Sequence, residues 1–143
     1  MSGPRFDLHQ IAASVRFVQG YRFLDRCGDA LIALEDYLDQ GWIPGETSPK
    51  AGVMVNHELG MVAQFHSGAL SVSQNEFLDF MYFHDQTCKI FDVLMDKFGI
   101  KRIHAPSLKV VWQKGFEEVD EAERFVNGLR LCPPPQKALD LLG

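Results

Sequence analysis

Five histidines and three cysteines are the residues of this chain whose types can carry acid–base, nucleophilic or metal chemistry, and their spacing decides which of these is open. His84 and Cys88 stand four residues apart, one helical turn, so imidazole and thiolate can reach the same ion if another ligand arrives from elsewhere. The stripe they share is otherwise Phe and Met. The expectation is therefore a hydrogen-bonded core histidine beside a thiol that packs as a small hydrophobe. His57 and His66 fall on one predicted sheet face, but with Val62 and Val53 as their expected cross-strand partners they stand roughly 13 Å apart at ~3.3 Å per residue. That is too far to share a metal ion. Cys27 follows Arg26 near a predicted helix start, where backbone amides and a guanidinium favour thiolate, while Asp25 and Asp29 oppose it. Gly-x-Ser-x-Gly, Gly-x-Gly-x-x-Gly and His-Glu-x-x-His do not occur, so no catalytic signature, metal site or cofactor is predicted.

Phe77, Phe80, Tyr82 and Phe83 form the densest aromatic cluster, close to Met81 and His84. Aromatics with Met usually fill a core. The same composition also lines apolar ligand pockets, and Phe77, Phe80, Met81, Phe83, His84 and Cys88 are the candidate pocket wall, with His84 as its proton donor or acceptor.

The elements that position these groups are read from periodicity. Between Val53 and Ser73 apolar and polar residues alternate in three runs separated by Leu59-Gly60 and Ser67-Gly68, which predicts a three-stranded antiparallel meander. Folding about those dipeptides sets Val55 opposite Gln64, Ala63 opposite Val72 and Phe65 opposite Leu70. Met54, Ala63, Phe65, Leu70 and Val72 then face the core. The opposite face carries Val53, Val55, His57, Val62, Gln64, His66 and Ser71, too apolar for plain solvent and too polar for a dry interior.

Before the meander, alternation from 13 to 21 predicts a strand after a loose lead-in over 1–10. Cys27, Ala30, Leu31, Leu34 and Leu38 then give one helical face after a cap at Asp25. Two prolines make 42–50 a connection. After the meander, Ser73 to Glu76 has the form of a capping box, and a helix is predicted over 85–98, with 77–83 open between helix, strand and loop. Residues 107–113 alternate as a strand whose Val and Trp suit a sheet interior. A third helix follows, with Val119, Ala122, Val126 and Leu129 as its buried stripe, and a Pro-rich tail over 131–143. The fold class is α+β in the order β-α-β-β-β-α-β-α. It has a predominantly antiparallel sheet of about five strands and helices on one face, in a single domain of 143 residues.

A net charge of −5 argues against general affinity for nucleic acid, with Lys97, Lys101, Arg102, Lys109 and Lys114 as a local basic group. Three unpaired cysteines suit a reducing compartment, and the sequence shows no membrane span or secretory signal, so a cytoplasmic setting is expected. The functional expectation is a small non-enzymatic interaction domain whose mixed sheet face dimerises or holds a protein partner. Small size and acidity extend this to an inhibitor or immunity-type role. The alternative is the aromatic pocket near His84.

Overall fold

The computed structural model describes residues 6–18, 21–38, 41–46, 48, 51–77 and 79–128. They fall into two compact units, Phe6–Gln113 and a smaller one that includes 114–128. The larger unit contains β1 (Asp7–Arg16), α1 (Tyr21–Tyr37), β2 (Trp42–Pro44), β3 (Ala51–Asn56), β4 (Met61–His66), β5 (Ala69–Asn75), α2 (Phe80–Phe98) and β6 (Ala105–Gln113); the smaller contains α3 (Val119–Gly128). The six strands form one antiparallel sheet in the order β2-β3-β4-β5-β1-β6. The fold is α+β as the sequence predicts. The additional strand is β2, in the segment expected to be a plain connection: Trp42 follows Gly41, which takes the left-handed φ of 98°, and pairs with Asn56.

The second turn of the meander is the expected tight reversal, with Phe65 opposite Leu70 and Ala63 opposite Val72. The first is wider. Residues 57–60 all belong to the turn, so Val55 faces Val62, Val53 faces Gln64, and Ala51 faces His66. The wider turn is held from both sides. Asn56 Oδ1 accepts from the Leu59 amide at 3.1 Å, Gln74 Nε2 donates to the Leu59 carbonyl at 3.0 Å, and the Asn75 amide donates to Gly60 O at 3.0 Å. Gly60 is required here. Its φ is 59°, and a Cβ would come within 2.7 Å of Asn75 O. Relative to the expected pairing the register moves by two residues, which leaves every side chain on its predicted face. His57 is the exception, since it leaves the strand and lies exposed in the turn.

One face of the sheet carries both helices. Phe23, Ala30 and Leu34 of α1 and Leu38 just after it are buried, as are Phe83, Ile90, Leu94 and Phe98 of α2. They meet Met54, Met61, Ala63, Phe65, Leu70 and Val72 from the meander and Ile11 and Val15 from β1. At its centre Phe23, Phe65 and Phe98 form a three-ring cluster with centroids 5.6–6.2 Å apart. Gly52 pairs with Phe65 and leaves room for its ring, where a Cβ would approach Phe65 Cζ to 2.4 Å.

Several boundaries differ from the sequence expectation. β1 begins at Asp7 within the supposed lead-in, because its pairing with β5 and β6 organises residues whose own alternation is weak. Helix α1 starts at Tyr21, ahead of Asp25. Residues 80–83 are helical, and the cap is Asp79 rather than Ser73: its Oδ1 accepts from the Met81 amide at 2.7 Å and the Tyr82 amide at 3.4 Å. Ser73 is held in β5, opposite Val62 and Ala12. Helix α2 ends at Gly99 in the left-handed conformation, φ 61°. β6 is an edge strand, not an interior one. None of the described residues of α3 is buried, against the stripe expected from Val119, Ala122 and Val126; Leu129 and the Pro-rich tail lie outside the described residues.

Candidate interaction surface

The face of the sheet opposite the helices is built from three cross-strand rows. The first runs Ile43–Val55–Val62–Ser73–Ala12–Lys109, the second Val53–Gln64–Ser71–Ser14–Ser107, and the third Ala51–His66–Ala69–Arg16–Ala105. Each position is the outward member of a strand whose alternate residues point to the core, so the rows follow from the period of two and the register. Six of the seven residues expected to form the mixed face are therefore brought together, Val53, Val55, Val62, Gln64, His66 and Ser71, and His57 is not. The sequence reading missed Ile43, Ala12 and Ser14. The apolar pair Trp42-Ile43 after Gly41 was the available signal for the first of these.

The face is graded from one end to the other. At the β2–β3–β4 end, Ile43, Val53, Val55 and Val62 form an aliphatic patch on which Gly45 sits, its amide donating to Val53 O at 2.8 Å. Across β5, β1 and β6 the side chains are hydroxyls and amides that bond one another. Ser14 Oγ and Ser107 Oγ are 2.7 Å apart, and Gln10 Nε2 donates to Asn75 Oδ1 at 2.8 Å. Arg16 and Lys109 stand at this end, while His66, exposed in β4, bends back so that its Nδ1 accepts from the Gly68 amide at 3.2 Å. Charge is segregated as well. Asp7 is the only acidic residue in any of the six strands, whereas α1 holds Asp25, Asp29, Glu35 and Asp36 and α2 holds Asp85, Asp92 and Asp96.

The candidate pocket residues are divided between the core and the surface. Phe83 points into the core and Phe77 packs against it, but Phe80 and Met81 are 50% and 63% exposed, and His84 and Cys88 are on the surface rather than in the core. Two surface cavities of the Phe6–Gln113 unit are lined by Phe6 with Trp112, and by Val18 with Lys101, Arg102 and His104. Only Lys101 and Arg102 of the expected basic group line the second of these; Lys109 is on the sheet face opposite α1 and α2. Burial pushes the Cys27 thiol above its ordinary value of 9.0, the direction opposite to an activated nucleophile. Among the described residues no group of three or more His, Cys, Asp or Glu side chains is placed to hold a metal ion, and no helix is long and apolar enough to cross a membrane.

No family model matches this chain, and no curated protein matches it. Among solved structures, the NMR structure of PA4090 from Pseudomonas aeruginosa is similar over 73% of this chain and 95% of that one, at 16% identity and a TM-score of 0.38. A likeness that distant in both sequence and superposition assigns no function to this chain.

Proposed function

We propose that this protein is a small non-enzymatic interaction domain of a reducing, cytoplasmic setting, and that the sheet face opposite α1 and α2 holds another protein. The observation that carries the reading is the composition of that face: aliphatic, small hydroxyl and amide side chains with His66, Arg16 and Lys109, and Asp7 as the one acidic residue in the six strands, on a chain whose net charge is −5. A surface left to solvent on an acidic protein has no reason to exclude carboxylates, whereas the centre of a protein interface is depleted in charge. Free thiols at Cys27 and Cys88 support the reducing compartment.

The grading favours a different protein over a second copy. Two copies laid face to face on a two-fold axis set Lys109 and Arg16 either against their own counterparts or against the valines, and both pairings are unfavourable. A partner that is apolar opposite Val55 and Val62 and acidic opposite Arg16 and Lys109 satisfies both ends. The test is affinity capture of partners from the source cell, with Val55→Asp and Val62→Asp in parallel and light scattering of the purified protein at high concentration. The expected result is a monomer by itself and a partner lost in both variants. Capture unaffected by both substitutions would remove the reading, and self-association abolished by them would reassign the partner as a second copy.

A further inference from the structure

The surface of α2 holds a pair of groups that the interaction reading does not use. His84 and Cys88, one turn apart, have Nε2 and Sγ 3.7 Å from each other, and the other ring nitrogen of His84, Nδ1, is 3.0 Å from Asp85 Oδ1. A tetrahedral zinc ion with Zn–N of about 2.0–2.1 Å and Zn–S of about 2.3 Å holds its nitrogen and sulfur about 3.5–3.6 Å apart. The pair thus stands within a few tenths of an ångström of the bite such an ion requires. The contact from Asp85 to Nδ1 is what a metal-binding histidine needs behind it, because a carboxylate accepting from Nδ1–H fixes the tautomer that leaves the Nε2 lone pair free.

We infer that His84 and Cys88 are half of a zinc-class metal site, completed by the same two residues of a second copy of this chain. The ligand count leads to this occupant. One chain supplies one imidazole and one thiolate, no third protein ligand lies within reach among the described residues, and a closed tetrahedral site takes four. Two copies related by a two-fold axis through the ion supply two sulfurs and two nitrogens in the Cys2His2 set that suits zinc. The flanking residues agree. Phe80, whose ring lies 6.5 Å from that of His84, and Met81 are both exposed and are covered when two α2 helices approach.

Electrostatics makes the contact conditional on the ion. Acidic residues outnumber basic ones on both helices, so two helix layers repel in its absence, and the divalent charge is placed where that repulsion is felt. On binding, each Cys88 thiol gives its proton to solvent, two protons per ion.

The test uses the reduced full-length chain titrated with zinc chloride while mass is followed by light scattering or sedimentation, with cobalt(II) as a spectroscopic probe. Mass should double, with saturation at half an equivalent of zinc per chain. Cobalt should give the strong visible bands of a tetrahedral site and a thiolate charge-transfer band. Cys88→Ser and His84→Asn should abolish the metal-dependent doubling, Asp85→Asn should weaken zinc binding about 10- to 100-fold, and Cys27→Ser with Cys132→Ser should leave it intact. His84 and Cys88 are exposed, so their variants remain folded. Saturation at one equivalent without a mass change, doubling without metal, or binding that survives Cys88→Ser would each overturn the inference. Val55→Asp lies on the opposite sheet face and leaves this site untouched, so loss of the zinc dimer and loss of the protein partner are separate outcomes.

Discussion

Strands β4 and β6 alternate in the same way, Met-Val-Ala-Gln-Phe-His against Leu-Lys-Val-Val-Trp-Gln, yet they end in opposite environments. In β4, Met61, Ala63 and Phe65 are fully buried under the helices. In β6, Leu108 and Trp112 point to the same side of the sheet and are 57% and 59% exposed. The difference is position in the sheet. β4 lies between β3 and β5 beneath the helix layer, whereas β6 is the last strand, paired only with β1. Alternation fixes which face a side chain takes, and the neighbours decide whether that face is covered.

The contrast is broken most directly by removing one aromatic from each strand. Phe65→Ala should cost about 3–5 kcal/mol, because it empties the centre of the three-ring cluster, while Trp112→Ala should cost under about 1 kcal/mol. Urea unfolding of both measures it, and equal losses would mean that β6 is as well covered as β4. Gly52→Ala sharpens the comparison by crowding the ring instead of deleting it. Since the added methyl meets the Phe65 ring and not a flexible chain end, a loss of about 1–3 kcal/mol is expected.

Smaller effects test the helix layer that covers β4. Asp79→Ala removes the acceptor for the Met81 and Tyr82 amides and should cost about 1 kcal/mol, with Asp79→Asn recovering most of it. Cys27, half-buried on α1, should give the smallest signal. Burial raises its folded-state pKa above the unfolded one, so its contribution is fully present below the unfolded value and is lost as pH rises through the folded value. The melting temperature should therefore fall more for the native chain than for Cys27→Ala as pH rises past the ordinary thiol value of 9.0. The same desolvation should make Cys27 slower to alkylate than the exposed Cys88.

What was legible in the sequence follows the same division. The alternation of 53–73 places Met54, Ala63, Phe65, Leu70 and Val72 on the core face correctly, although the first turn is wider than expected and the buried Met61 beside it is not among them. A register error of two preserves the faces, and the four-residue turn depends on Asn56 and Gln74, whose bonds to Leu59 are tertiary. The sheet face opposite α1 and α2 was legible in six of its residues. His57 was lost with the turn, and Ile43 was hidden because a three-residue strand beside prolines has no period of its own. Helical spacing puts His84 and Cys88 on the core stripe because it gives the stripe without saying where its edge falls. Phe83 lies inside that edge, and Phe80, His84 and Cys88 lie outside.

The separation of carboxylates onto the helices, away from the strands, also acts at a distance. It makes the Phe6–Gln113 unit a permanent electric dipole whose less negative pole is the side of the sheet opposite α1 and α2. An approaching acidic protein feels a torque before it feels a contact, and is turned toward the side where Arg16 and Lys109 stand. Such pre-orientation is felt in the rate of encounter. It fades as added salt shortens the screening length below the dimensions of the molecule.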